Sequence, residues 1–349
     1  MAKTTFGLDI GTHSVKLVQM QLGGEYPRLV NYTIQGVYAP DMDYDVEGPP
    51  KRLLLNAVRD AFKEIKVNPK RAKYVNSSMG GRLTSAKQIK SIPLSPEEME
   101  SSLIFEARKH LPLDDSEPII DYQILDGDMD SQQMDIMLVA TTRKAFQGRI
   151  DLLRDVGIKP NVIDSDILAL VNCYLLTHGS IGESPLIFLD VGARMTNLIV
   201  YGEGAMFFAR EIPWAGFNFT DDIRDAHDLD YPAAESYKIE NGIFGNSDSG
   251  EDMAGGIRMQ KKRAQDNLAD EIHRSLRYYI KETSIREFEK ILLSGGSSRI
   301  NGLAGFIGEK INIPVELFNP TEYFELPQVF NPQHAPQIAT ACGLALREE

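Results

Sequence analysis

The stretch Gly7-Leu8-Asp9-Ile10-Gly11-Thr12-His13-Ser14-Val15-Lys16 returns far downstream as Phe188-Leu189-Asp190-Val191-Gly192-Ala193-Arg194-Met195-Thr196-Asn197. Both copies carry the core Leu-Asp-x-Gly. Each begins with apolar residues suited to a buried strand, sets an acid at the strand end and turns at Gly. Each then resumes with apolar residues, Val15, Leu17, Val18 and Met20 in the first and Leu198, Ile199 and Val200 in the second. The pattern predicts a duplicated hairpin with an acid at each tip.

The groups at such a tip suggest its chemistry. Gly11 lets the backbone approach a bulky anion, the N–H groups of the turn point outward as donors, and Thr12, Ser14 and Lys16 add hydroxyl and ammonium donors. The first turn therefore reads as a phosphate cradle, with His13 in the same turn and Gly192 and Thr196 as candidates in the second. Asp9 and Asp190 would repel a bare polyphosphate, but they become useful when Mg²⁺ with its water shell stands between carboxylate and phosphates. Either hairpin alone could be an ordinary turn; the repetition argues for Mg-nucleotide.

A third segment, Ile291-Leu292-Leu293-Ser294-Gly295-Gly296-Ser297-Ser298-Arg299-Ile300-Asn301-Gly302-Leu303, reads as a buried strand passing through a Gly-Gly turn into a helix start. Ser297 or Ser298 is expected to cap that helix. Gly295 and Gly296 leave room for a flat purine or ribose, and the helix N-terminus offers free N–H groups to an anion.

In this order and at these separations, the three segments resemble the phosphate-1, phosphate-2 and adenosine motifs of the actin-like ATPase superfamily. Over essentially its full length the chain resembles the PilM family, cytoplasmic actin-like proteins of type IV pilus assembly that are similar to the cell-division protein FtsA. Further carriers of the resemblance are Ser91-Ile92-Pro93-Leu94, Tyr122-Gln123-Ile124-Leu125, Met137-Leu138-Val139-Ala140-Thr141, the segment from Leu153 to Pro160 and the ending from Ala335 to Leu346.

The resemblance implies an α/β, actin-like fold with two lobes around a nucleotide cleft and an inserted subdomain 1C where actin has 1B. It implies ATP or ADP with Mg²⁺ as cofactors. Within Ala234-Glu235-Ser236-Tyr237-Lys238, Glu235 would accept from ribose hydroxyls and Lys238 would lie along the base. Asp166 falls roughly where related ATPases carry a Gln or Glu that positions water, and it could equally cap the helix that follows. The residues Ala193, Arg194 and Met195 make the second turn bulky, so hydrolysis is expected to be slow or absent.

The implied function is a nucleotide-loaded adaptor. It would capture the N-terminal cytoplasmic tail of a PilN-type inner-membrane protein in a groove between subdomains 1A and 1C, alongside other pilus assembly proteins. Alternatives are an FtsA-like filament, which would self-associate, and a small-molecule kinase using Asp166 as base. No Ser-His-Asp arrangement, His-Glu-x-x-His helix or dinucleotide Gly fingerprint is present.

Composition narrows the classes further. The 349 residues include 37 Lys plus Arg against 50 Asp plus Glu, a net charge of −13 that argues against a nucleic-acid or anionic-membrane surface. The basic run Lys261-Lys262-Arg263 reads as a solvated helix face. Cys173 and Cys342 stand far apart among apolar neighbours, which suggests neither a disulfide framework nor a zinc site and fits reduced cytosol. The start leads directly into a strand, no stretch approaches a membrane span, and the ending Leu346-Arg347-Glu348-Glu349 lacks the membrane-targeting helix typical of FtsA relatives. The expected location is the cytoplasmic face of the inner membrane, reached through a partner.

The expected organisation is residues 1–85 as subdomain 1A, 86–158 as the inserted 1C, 159–185 as a connection through 1A, 186–230 with 286–325 as 2A, 231–285 as 2B, and 326–349 returning to 1A. Within the insert, Ser95-Pro96-Glu97-Glu98 predicts a capped helix start, and residues 119–125 and 135–142 predict a hairpin around the polar loop 127–133. A Gly-rich loop is expected at 242–256 within an otherwise helical 231–285.

Overall fold

The structure is a computed structural model, and it describes residues 3–45, 47–81, 83–112, 117–127, 131–243 and 262–347. Most of the Gly-rich loop 242–256, part of the loop 127–133, Lys261 and the last two residues lie outside the described residues.

The first hairpin joins β1 (Lys3–Ile10) to β2 (Ser14–Leu22) in antiparallel register, and β3 (Arg28–Gly36) extends it. Helix α1 (Lys51–Glu64) buries Ala57, Val58, Ala61 and Phe62, a spacing that sets one face against the sheet. It leads to β4 (Val75–Met79), parallel to β1. The chain then detours through β5 (Thr84–Ser91), α2 (Pro96–Arg108), β6 (Pro118–Asp126), β7 (Met134–Thr142) and α3 (Arg143–Val156). It rejoins the first sheet as β8 (Pro160–Ser165), parallel to β4, and passes into α4 (Asp166–His178).

The detour forms its own antiparallel sheet in the order β5-β7-β6. Helix α2 starts with the expected capping box: Glu98 N–H donates to Ser95 Oγ at 3.4 Å, and Ser95 N–H donates to Glu98 Oε2 at 3.1 Å. Its Met99, Leu103 and Ala107 pack on Ile136, Leu138 and Ala140 of β7. From the opposite face of the same sheet, Ala86 and Met137 join a core shared with α4 and the second lobe. Helix α3, within the stretch read as the insert, sends Leu152, Leu153 and Val156 into the core of the first sheet beside Phe6 and Phe62. That helix ends at Gly157, whose φ of 90° is the left-handed conformation glycine adopts without strain.

The second lobe repeats the plan with β9 (Leu186–Val191), β10 (Thr196–Tyr201) and β11 (Phe208–Ile212), then α5 (Gly216–His227), α6 (Tyr231–Asn241) and α7 (Ala264–Thr283). It closes with β12 (Ile291–Ser294), α8 (Leu303–Ile311) and β13 (Val315–Leu317). The two large sheets have the orders β3-β2-β1-β4-β8 and β11-β10-β9-β12-β13, so the duplicated hairpins occupy equivalent places. Leu268, Ile272, Leu276 and Tyr279 of α7 cover the second sheet.

The final helix, α9 (Ala339–Leu346), is wedged against β1 and α4. A Cβ on Gly7 would stand 1.9 Å from the Ala341 carbonyl oxygen, and one on Gly343 would stand 1.9 Å from that of Ala169. The C-terminal carbonyls of α9 are satisfied from the first sheet: Asn76 Nδ2 donates to Leu344 O at 2.9 Å and Thr5 Oγ1 to Ala345 O at 2.6 Å.

Candidate nucleotide site between the duplicated hairpins

The two turns have the same geometry. Gly11 N–H donates to Ser14 O at 3.2 Å, and Gly192 N–H donates to Met195 O at 3.0 Å. A Cβ would stand 3.0 Å from the Ser14 oxygen in the first and 2.9 Å from the Met195 oxygen in the second, so both turns are tight against any side chain. Behind each glycine the acid pairs with a residue directly opposite it. Asp9 faces Lys16, whose Nζ lies 3.1 Å from Oδ2. Asp190 faces Asn197, which donates to Oδ2 at 3.4 Å.

A third acid completes the group. Asp166, the first residue of α4, lies against Gly80, where a Cβ would sit 2.0 Å from its Oδ2. It is not the cap of α4, because Ser165 holds the cap position. Burial and the neighbouring charge of Asp9 push its carboxyl up to about 6, against the pull of Arg149. Burial likewise raises Asp190, which Lys16 opposes and Asp9 reinforces. Lys16 is itself held above its ordinary value: burial works to lower it, but Asp9, then Asp190 and Asp166, outweigh that.

The sequence reading missed Arg149. From α3 its Nη2 reaches Ile10 O at 3.5 Å, while Nη1 is buried without a hydrogen-bond partner. Burial lowers its pKa and the charges of Asp166 and Asp9 raise it, and a guanidinium stays charged in such a setting. Three carboxyls, two of them driven toward proton uptake, therefore share the cleft with two cations. Such a group fits a divalent cation together with phosphates. Among the described residues no cluster of three or more His, Cys, Asp and Glu could hold a metal by itself. A Mg²⁺ here would be met by Asp9 and Asp190 through its water shell, and it would neutralise phosphate charge.

The Gly-Gly turn closes against the second hairpin. Gly295, at φ 90°, has no room for a Cβ, which would lie 2.4 Å from Val191 O and 2.6 Å from Asp190 Oδ1. Ser294 Oγ donates to Asp190 Oδ1 at 3.3 Å. The expected serine cap is absent. Ser297 Oγ donates to Gly192 O at 2.8 Å and Ser298 Oγ to Gly295 O at 2.7 Å, so both hydroxyls are spent on carbonyls. A 3₁₀ turn spans Gly296–Arg299, and α8 begins only after Gly302, whose φ is 82°. Gly296 faces the side chain of Gln337.

Glu235 and Lys238 are not on a solvated face. Lys238 is buried; its Nζ lies 2.6 Å from Glu235 Oε2, 2.8 Å from Thr220 Oγ1 and 3.1 Å from Gly216 O. Burial lowers Lys238 despite Glu235, while Lys238 and Thr220 hold Glu235 below its usual value against burial. His13 Nδ1 is buried without a partner, and burial lowers its pKa although the charge of Glu235 opposes this. Thr196 turns inward, its hydroxyl donating to Trp214 O at 2.7 Å.

Comparison with known proteins shows the family and the fold. The family model described as type IV pilus assembly protein PilM matches residues 7–349. The chain belongs to the PilM family of type IV pilus assembly proteins. A solved PilM-PilN type IV pilus biogenesis complex contains a chain superposing with a TM-score of 0.79 at 24% identity, covering 98% of this chain and 97% of that one. The ethanolamine utilization protein EutJ from Carboxydothermus hydrogenoformans superposes at 0.51 with 12% identity, over 99% of this chain and 89% of that one.

The cell division protein FtsA of Escherichia coli K12 is 24% identical over 240 residues, 61% of this chain and 54% of FtsA. FtsA of Borreliella burgdorferi is 24% identical over 213 residues, 56% of this chain and 51% of FtsA. The chain thus spans about half the length of the curated relatives it matches. The fold of this PilM-family chain is actin-like. Asn197 was legible in principle, since it holds the register position of Lys16, whereas nothing local in the sequence marks Arg149.

Proposed function

We propose that this PilM-family protein binds ATP or ADP with Mg²⁺ between its two hairpins and, so loaded, holds the N-terminal cytoplasmic tail of a PilN-type inner-membrane protein. The observation that carries the nucleotide reading is the set of Asp9, Asp166 and Asp190 gathered with Lys16 and Arg149 between two equivalent glycine turns. Gly11, Thr12, Ser14 and Lys16 would supply phosphate donors, and the Gly295-Gly296 turn would lie against the nucleoside. Slow or absent turnover is supported by the second turn. Its Thr196 hydroxyl is committed to Trp214 O, and Arg194 points away to Glu47 O at 2.8 Å. Asp166 is the candidate for orienting water.

The partner reading is supported by a relative solved as a PilM-PilN complex and by a cavity of about 440 Å³ where the inserted sheet meets both lobes. Gly80, Gly81, Ser85, Lys109, Asn197 and Arg210 are among its lining residues. Gly80 touches Asp166 and Asn197 bonds to Asp190, so an occupant would adjoin groups of the nucleotide site. Among the described residues no helix is long and apolar enough to cross a membrane, which is compatible with recruitment through such a partner.

The test is titration of a synthetic PilN-type N-terminal peptide into the protein and its Ser85→Trp variant, with and without Mg-ATP. Peptide binding that the tryptophan weakens at least tenfold is the expected result. Equal affinity would move the partner away from this cavity, and no binding in any condition would overturn the adaptor reading.

A further inference from the structure

The connection between β3 and α1 carries an aromatic residue that touches the first glycine turn and both lobes. Tyr44 is 7% exposed. Its hydroxyl lies 3.1 Å from Thr12 Oγ1 in the first turn. On the first-lobe side its ring centroid is 5.4 Å from that of Tyr38 and 6.1 Å from that of His13. On the second-lobe side it is 4.9 Å from Phe217 of α5 and 5.8 Å from Tyr231 of α6, inclined by 33° and 19°. Three residues on, Glu47 O accepts the Arg194 guanidinium of the second turn at 2.8 Å.

This arrangement exceeds what packing a surface connection requires. Aromatic rings at these separations attract one another beyond the area they bury, and these rings belong to different lobes. Separating the lobes at this edge of the cleft therefore breaks the contacts of Tyr44 with Phe217 and Tyr231. Thr12, meanwhile, is a phosphate donor of the first turn in the nucleotide reading above. Either hydroxyl of this pair can be the donor; where Thr12 donates to Tyr44 Oη, its one proton is withheld from a phosphate oxygen.

We infer that Tyr44 is a residue of the nucleotide site, its ring bridging the lobes beside the phosphate turns and its hydroxyl competing with a phosphate oxygen for Thr12. The inference rests on the nucleotide reading above and adds to it a residue outside the three glycine motifs. Ring and hydroxyl act in opposite senses: the ring keeps the lobes together around a bound nucleotide, and the hydroxyl must yield when a phosphate reaches Thr12.

Two variants separate these roles. Tyr44→Phe keeps the ring and its stacking while removing the hydroxyl, and Tyr44→Ala removes both. The probe is N-methylanthraniloyl-ADP with Mg²⁺, followed by stopped-flow fluorescence for association and by chase with unlabelled ADP for release. Melting curves verify that both variants are folded. Tyr44→Phe should bind about 2- to 10-fold more tightly, as expected for relief of one neutral hydrogen bond. Tyr44→Ala should release the probe about tenfold faster than the wild type. Wild-type rates in both variants, or weaker binding by Tyr44→Phe, would overturn the role given to Tyr44 while leaving nucleotide binding intact. Failure of the wild type to bind either the probe or Mg-ATP would overturn the nucleotide reading and this inference with it.

Discussion

Lys16 Nζ stands 3.1 Å from Asp9 Oδ2, directly across the first hairpin, so one ammonium both neutralises a carboxylate and borders the first glycine turn. Lys16→Met should weaken Mg-ATP binding about tenfold to over a hundredfold, the equivalent of a charge-assisted contact of roughly 1.5 to 3 kcal/mol. The same change strands Asp9 and should cost about 3 kcal/mol of fold stability. Calorimetric titration reads the first effect and urea unfolding the second. Unchanged affinity would remove Lys16 from the phosphate site.

Asp166 makes stability depend on pH in a particular sense. Its carboxyl lies at about 6 in the fold against an ordinary 3.8, so the folded state holds a proton that the unfolded chain has lost between those values. Stability from this group therefore falls as pH rises from about 4 through about 6, and the loss is complete above that, at roughly 3 kcal/mol. Asp166→Asn, neutral throughout, should be more stable than the wild type at pH 8 and nearly equal to it at pH 4. Urea unfolding across that range checks it, and a stability difference independent of pH would contradict the burial of this charge.

The C-terminal helix is fixed by close backbone contact as well as by its buried side chains. Gly343→Ala drives a methyl to 1.9 Å from Ala169 O and should destabilise by at least about 1 to 3 kcal/mol. Gly305→Ala, in α8 with nothing within 4 Å, should be neutral or stabilising by up to about 1 kcal/mol. Thermal melts of the pair test the packing of α9 against α4.

Turnover should be slow. Phosphate release from the purified protein with Mg-ATP is expected to stay well below about 1 per second, the lower end of ordinary enzyme rates. A sustained rate inside that range would contradict the account of the second turn, and Asp166→Ala would then show whether that acid orients the water.

What could be read from the sequence was what the backbone decides locally. Gly192 and Gly295 sit in turns without room for a side chain and Gly11 in one nearly as tight, and the strands flanking them alternate or run apolar as buried strands do. The capping box at Ser95 and Glu98 is equally local. Ser297 and Ser298 were misread because their hydroxyls answer to carbonyls brought close by the fold, one of them Gly192 O on another strand end. The burial of Lys238 is not legible in its helix, since it depends on the approach of Thr220 and Gly216 from α5. Arg149 and Tyr44 enter the cleft from elements whose sequence patterns carry no sign of it. Their positions follow from how α3 and the connection after β3 pack on the first hairpin.

A Mg-nucleotide site formed by the two hairpins together should raise unfolding stability when Mg-ATP is present at about a hundred times its dissociation constant. The account predicts a gain of roughly 2.7 kcal/mol in the wild type. It predicts a much smaller gain at the same ligand concentration in both Lys16→Met and Asp190→Ala, one change in each hairpin. A wild-type stability that millimolar Mg-ATP leaves unchanged would contradict it.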